Sequence, residues 1–180
     1  GRGILSGGAD GKAMLWDIGS GQWRQVAQHD APVVGVFHSE LPSPCVITGS
    51  WDRTVKFWKL DPGAEGQQLG ALQMPDRVLA MDVRGSVMVV ATAERHILVY
   101  DLCNLAQPFR QKFSPLKYQS RCVAIFPDQT GFCVGSVEGR VAIEHILDAD
   151  LPRNFAFKCH RQNADSKQPE VYTVNSIRFH

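Results

Sequence analysis

The segment Thr48–Trp58 reads TGSWDRTVKFW and decides the fold, because a related pattern recurs along the chain. In each copy a short apolar run leads into a polar turn with an acidic residue, and a second apolar run follows. The acidic residues are Asp10, Asp52, Glu94 and Glu138, which are 42, 42 and 44 residues apart. Strand-like segments that recur every ~40–45 residues and close on Trp-Asp are typical of the blades of a β-propeller. The pattern therefore predicts an all-β scaffold for binding and argues against a catalyst.

Each repeat predicts a blade, which is a four-stranded antiparallel meander with short polar turns. We expect blades at about residues 1–28 (partial), 29–73, 74–114 and 115–160, followed at 161–180 by a loop and the first strand of a next blade. A closed propeller of this type needs about seven blades, so we expect about four blades of a single, longer propeller domain. The polar stretch Arg161–Glu170 predicts a surface loop, and Val174–His180 predicts the strand after it.

Alternating apolar residues place the strands inside each blade, and helical periodicity is essentially absent. The predicted strands are Ile4–Ser6, Ala13–Trp16, Trp23–Ala27, Val33–His38, Cys45–Gly49, Val55–Leu60, Gln68–Leu72, Val78–Val83, Val87–Thr92, Ile97–Leu102, Phe109–Phe113, Arg121–Phe126, Phe132–Gly135, Val141–Ile146 and Phe155–Lys158.

The near-neutral charge of the chain limits which classes of partner it can attract. Lys and Arg number 19 against 18 Asp and Glu, so the whole chain has no strong field that would attract nucleic acid, and any basic site must be local. No apolar run approaches the roughly 18 residues of a membrane span. We therefore expect no membrane partner and no small-molecule substrate, with RNA only a secondary candidate.

The cysteines argue for free thiols in a reducing compartment. They are Cys45, Cys103, Cys122, Cys133 and Cys159, an odd and scattered set with no CxxC spacing. Cys159 and His160 are adjacent, but neighbours on a regular strand point to opposite faces, which disfavours joint metal binding. We predict no metal and no cofactor.

One set of residues could be mistaken for a catalytic triad. His29, Thr48, Asp52 and Trp58 fall in one predicted blade, and we expect a hydrogen-bond relay from the Trp58 indole through the hydroxyl and imidazole to the carboxylate. Buried polar groups of this kind are tolerated when they satisfy one another, and they then fix loop geometry. Nothing supplies an exposed nucleophile or an oxyanion site, so we predict a structural relay, no catalytic residue and no enzyme.

Several runs in the chain resemble a known family. Ala27–Val33 (AQHDAPV), Val137–Ile143 (VEGRVAI) and Phe157–Arg161 (FKCHR) are similar to the WD-repeat family that includes messenger-RNA export factors of the nuclear pore and, as close relatives, mitotic-checkpoint adaptors. The resemblance implies binding of a GLEBS peptide, a short Glu-containing segment of a nucleoporin or a checkpoint kinase. It also implies mRNA transport at the nuclear envelope, with a presence in the cytoplasm. The alternatives left open are a spindle-checkpoint adaptor and direct RNA binding.

The propeller model gathers candidate binding residues on one rim, because loops before inner strands and turns after second strands emerge together. The basic candidates are Lys117, Arg121, Arg140, Lys158 and Arg161. Arg140 is the leading one, since a guanidinium can grip a carboxylate through two hydrogen bonds; the alternative is that it only pairs with Glu138 or Glu144. The family match makes Phe157 an apolar pocket wall, against simple packing of an outer strand. Trp51 either contacts a partner or caps the blade end.

Overall fold

The computed structural model describes residues 3–61, 66–162 and 170–179. In this part of the chain every regular element is a β-strand or a short 3₁₀ helix, and all strand pairs are antiparallel. The predicted all-β fold is confirmed. The chain divides into two compact units, Gly1–Val78 and Leu79–His180.

The first unit contains two sheets. The first sheet has β1 (Gly3–Gly7), β2 (Lys12–Asp17) and β3 (Trp23–Gln28), and the second has β4 (Val33–Ser39), β5 (Cys45–Ser50), β6 (Thr54–Lys59) and β7 (Gln68–Gln73), each in sequence order. β5 is buried at every residue, whereas β7 has no buried residue, as expected for a central and an edge strand. Val26, Val46 and Trp58 belong to the core cluster of this unit.

The second unit contains two four-stranded sheets and a short ladder. The third sheet has β8 (Val78–Arg84), β9 (Val87–Thr92), β10 (His96–Asp101) and β11 (Arg110–Phe113), the fourth has β12 (Ser120–Ile125), β13 (Gly131–Ser136), β14 (Arg140–His145) and β15 (Phe155–Lys158), and β16 (Arg161–Gln162) pairs with β17 (Glu170–Val171). Short 3₁₀ helices occur at Ala93–Arg95 and Asp148–Arg153. Val89, Ile97, Ile125 and Phe132 share one core cluster.

The observed strands from β1 to β15 begin and end within one residue of the predicted ones. The region after β15 differs from the prediction. The ends of the Arg161–Glu170 stretch pair with each other as β16 and β17, and residues 163–169 lie outside the described part. Residues 174–179 form no strand, whereas the sequence predicted one at Val174–His180. The described part of the chain contains no helix whose length and hydrophobicity would suit a membrane span.

Candidate functional site

The second sheet brings His29, Thr48, Asp52 and Trp58 into one hydrogen-bonded chain. The Trp58 indole N–H donates to Thr48 Oγ1 at 2.7 Å, Thr48 Oγ1 lies 2.7 Å from His29 Nε2, and His29 Nδ1 lies 2.7 Å from Asp52 Oδ2. His29 and Thr48 are buried. The carboxylate also accepts the backbone N–H of Asp30 at 3.3 Å and that of Thr54 at 3.0 Å, so the relay ties the residues before β4 to the β5–β6 turn.

Electrostatics assign the protons along this chain. Burial lowers the pKa of His29 and outweighs the hydrogen bond and charge of Asp52, so the imidazole is neutral. Burial acts to raise the pKa of Asp52, but hydrogen bonds from Thr54 and His29 outweigh it and the net pKa is lowered. A carboxylate only accepts, so Nδ1 of His29 carries the proton and the Thr48 hydroxyl donates to Nε2. Every group in the chain is satisfied, and no free nucleophile remains in it.

We predict that lowering the pH reduces the free energy of unfolding of the intact protein through this relay. The pKa of His29 is lowered from its usual 6.5, so the unfolded chain takes up this proton first, and the stability due to neutral His29 is lost as the pH falls below 6.5. Asp52 acts in the same direction at lower pH, because its pKa lies below 3.8 in the fold. Urea unfolding between about pH 7 and pH 5 tests the first part, since both values bracket the ordinary histidine pKa. His29→Asn should flatten the dependence; an unchanged slope would contradict the assignment.

A second constellation lies at one end of the fourth sheet. Register pairs Ser120 with Ser136 and Arg140 with Lys158, so β12 and β14 begin at this end, where β13 and β15 finish. Arg121 is the second residue of β12, and Lys117 lies in the exposed connection just before that strand. Arg161 begins β16, three residues beyond the end of β15. We call these residues the basic end: Lys117, Arg121, Arg140, Lys158 and Arg161.

Glu138 holds two members of the basic end. Arg140 Nε lies 2.7 Å from Glu138 Oε1 and forms an ion pair there, although its N–H direction does not satisfy hydrogen-bond geometry. Arg161 Nη2 donates to the Glu138 backbone carbonyl at 2.8 Å. From the sequence, either Glu138 or Glu144 could pair with Arg140. In the structure, Arg140 pairs with Glu138. Sequence reasoning did not single out Glu138 as the residue that both arginines share.

The turn at Gly139 depends on the absence of a side chain. Gly139 has φ +63, in the left-handed region, and a Cβ there would lie 2.6 Å from the carbonyl oxygen of Cys159 and 2.9 Å from that of Tyr172. The Cys159 N–H donates to the Gly139 carbonyl at 2.9 Å. The turn that carries Glu138 and Arg140 is therefore packed against the backbone that follows β15.

Phe157 lies beside this end but on a different face. It pairs with Val141, one position from the Arg140–Lys158 pair, and alternation along a strand points its side chain to the opposite side of the sheet. Phe157 is 44% exposed, and its ring centroid lies 6.1 Å from that of Phe155. β15 is the last strand of the sheet, so Phe157 and Lys158 both lie on an edge strand.

Trp51 belongs to the first unit. It is 43% exposed in the β5–β6 turn, and its backbone N–H donates to the Pro32 carbonyl at 3.1 Å. The Arg77 guanidinium stacks over the indole, 5.8 Å from the ring centroid, an arrangement worth about 0.5–1 kcal/mol at an exposed site. The ring thus has an intramolecular contact and an exposed remainder, and Arg77 is a neighbour that sequence reasoning missed.

The third and fourth sheets have other polar side chains at the strand position that Trp58 occupies in the second sheet. Tyr100 and Glu144 are buried where the second sheet has Trp58. Glu144 makes an ion pair with Lys112 of β11 and accepts a hydrogen bond from Asn154 Nδ2 at 3.1 Å. The fourth sheet thus replaces the relay with a salt bridge to the third sheet.

The cysteines are free thiols. Burial raises the pKa of Cys133 to about 11 and also raises the pKa of Cys45 and Cys122, so these thiols stay protonated. Among the described residues no group of three or more His, Cys, Asp or Glu side chains is placed to hold a metal ion. His160 has φ 50 and lies beyond β15, so the regular-strand argument against a Cys159–His160 site does not apply there.

The comparison with family models decides the repeat type: residues 24–59 match the WD domain, G-beta repeat. The chain contains a WD repeat. The match covers the relay residues His29, Thr48, Asp52 and Trp58. A solved structure, that of the computationally designed Ika8 protein, superposes with TM-score 0.66 over 81% of this chain and 43% of that one, at 24% identity. That likeness supports the predicted β-propeller fold class.

Curated relatives are similar to nearly the whole chain and not only to the residues of the WD repeat. The chain is 46% identical to the mRNA export factor of Bos taurus, over 98% of this chain and 50% of that protein. It is 44% identical to the mitotic checkpoint protein BUB3.1 of Arabidopsis thaliana, over 98% of this chain and 52% of that protein. The chain spans about half the length of these curated relatives. The resemblance predicted from the sequence is confirmed.

Proposed function

We propose that this protein is an adaptor in mRNA export that binds an acidic, GLEBS-type nucleoporin segment through the basic end. The observation that carries the proposal is the gathering of Lys117, Arg121, Arg140, Lys158 and Arg161 at one end of one sheet, in a chain whose net charge is only +1. The similarity to an mRNA export factor supports the process, and a nucleoporin partner would place the protein at the nuclear pore, with a cytoplasmic pool.

The basic end is already arranged for a carboxylate. Glu138 holds Arg140 through its side chain and Arg161 through its backbone, which limits the rotamer freedom that binding would otherwise remove. The Arg140 side chain remains 37% exposed, so its guanidinium can also receive a partner glutamate. Charge-assisted pairing of this kind is stronger than a neutral hydrogen bond and selects acidic partners over neutral ones.

Charge reversal at Arg140 tests the proposal. Arg140→Glu should weaken binding of a GLEBS-type peptide to the intact protein by about 1.5–3 kcal/mol, the scale of a charge-assisted contact, measured by calorimetry. Arg153→Glu is the matched control, because Arg153 is a 69% exposed arginine at the opposite end of the same sheet and should bind as wild type. Unchanged affinity in Arg140→Glu would remove this residue from the site.

The checkpoint alternative rests on the match to the mitotic checkpoint protein. Titrating a nucleoporin GLEBS peptide and a checkpoint-kinase peptide side by side into the intact protein separates the two; we expect tighter binding of the nucleoporin peptide. Direct RNA binding makes a different prediction, a steep loss of affinity with salt, because phosphate contacts release counterions.

A further inference from the structure

The chain contains two Ser-Pro dipeptides, and the structure presents them differently. Ser43-Pro44 lies in the connection between β4 and β5, where residues 41–44 are all exposed. Ser114-Pro115 follows β11, and Ser114 is 2% exposed, with its Oγ accepting the Leu116 N–H at 3.2 Å. Of the two hydroxyls, the Ser43 hydroxyl is open to a modifying enzyme and the Ser114 hydroxyl is closed.

We propose that Ser43 is a phosphorylation site for a proline-directed serine/threonine kinase. Residues 41–44 form a bend outside the strands, Pro44 disfavours a helical backbone at Ser43, and Pro42 has a fixed φ. A kinase must bring the substrate hydroxyl within reach of its catalytic aspartate, which an exposed serine in a loop allows. Pro44 has no N–H, so a kinase pocket that encloses this position leaves no backbone donor unsatisfied. Within the described part of the chain the Ser43 hydroxyl makes no hydrogen bond.

The transfer uses ATP. Ser43 Oγ bonds to the γ-phosphorus while the bond from that phosphorus to the β–γ bridging oxygen breaks, ADP leaves, and the hydroxyl proton passes to the kinase aspartate. The product carries about −1.5 to −2 charges at neutral pH and three acceptor oxygens.

The surroundings can accommodate this charge without disturbing the relay. Register places Lys59 opposite Cys45, two residues after Ser43, and Lys59 Nζ lies 3.2 Å from Asp61 Oδ2 in an exposed pair. The phosphate would compete with Asp61 for that ammonium group. Because β5 runs from Cys45 to Ser50, this loop is at the opposite end of the second sheet from the Asp52 turn. We therefore expect the phosphate to add charge to an exposed loop while the sheet stays folded.

Kinase labelling of the folded, intact protein tests the site. A purified mitogen-activated protein kinase with ATP, followed by mass-spectrometric site mapping, should label Ser43 at least about tenfold faster than Ser114, because Ser114 needs local opening. Synthetic peptides spanning residues 38–48 and 109–120 measure the kinase's own preference and should show no such ratio. Ser43→Ala should lose the signal in this loop while Ser114→Ala keeps it. The proposal is overturned if folded protein is unlabelled at Ser43, or if its Ser43 to Ser114 ratio equals that of the peptides.

Discussion

Replacing Lys112 with Met is expected to lower the free energy of unfolding by about 3 kcal/mol, because it leaves a buried carboxylate without its cation. The Glu144 side chain is 5% exposed and the Lys112 side chain 29%, and their ion pair joins β11 to β14 within the second unit. Asn154 donates one hydrogen bond to the same carboxylate, which reduces the loss without removing it. Urea unfolding of the intact protein, monitored by tryptophan fluorescence and by circular dichroism, measures the change.

A double mutant separates the buried charge from simple packing. Adding Glu144→Gln to Lys112→Met removes the unpaired charge and should recover about 2 kcal/mol, a coupling of the size seen for contacting residues. Arg153→Met is the surface control, because its pair with Asp150 is largely exposed and should contribute about 0–1 kcal/mol. If the two changes at the buried pair simply add, the ion pair does not link the sheets as described.

Asp52→Ala is expected to have the second large effect, about 3 kcal/mol. The substitution removes the acceptor of the buried His29 imidazole and of the less buried Asp30 and Thr54 backbone N–H groups, and leaving the buried imidazole N–H without an acceptor is costly. Since the relay ties the residues before β4 to the β5–β6 turn, amide exchange should rise in both segments. Hydrogen exchange and urea unfolding of the intact protein give the two readouts.

Asp61→Ala provides the matched control for Asp52→Ala. Asp61 is an acidic residue of the same unit, but its side chain is 67% exposed and its pair with Lys59 is a surface one, so its loss should be within about 0.5 kcal/mol. Equal destabilisation by the two substitutions would contradict the structural role of the relay.

The strands could be predicted because local patterns determine them. β5 and β13 are buried at every residue and read as apolar runs, while turns such as that at Gly11 (φ +79) require residues that tolerate left-handed backbone. Thr48 pairs with Lys56 and Trp58 with Val46, so the Thr48 and Trp58 side chains are diagonal neighbours on one face, a contact that antiparallel pairing of β5 and β6 makes possible.

Contacts between distant segments could not be predicted in the same way. Lys112 and Glu144 are 32 residues apart, and no local pattern pairs them. Arg161 contacts Glu138 because the chain folds back after β15. The alternation of side chains along a strand does not predict where the chain goes after the strand ends. The side of the sheet on which Phe157 lies follows from how β15 pairs with β14, and that pairing cannot be known from the sequence of β15 alone.

Hydrogen exchange of the intact protein, with and without a GLEBS-type peptide, tests the central claim most directly. We expect slower exchange at residues 137–141 and 157–161 in the complex, and no change at the Leu41 and Ser43 amides. Protection confined to other segments, with the basic end exchanging as in the free protein, would contradict it.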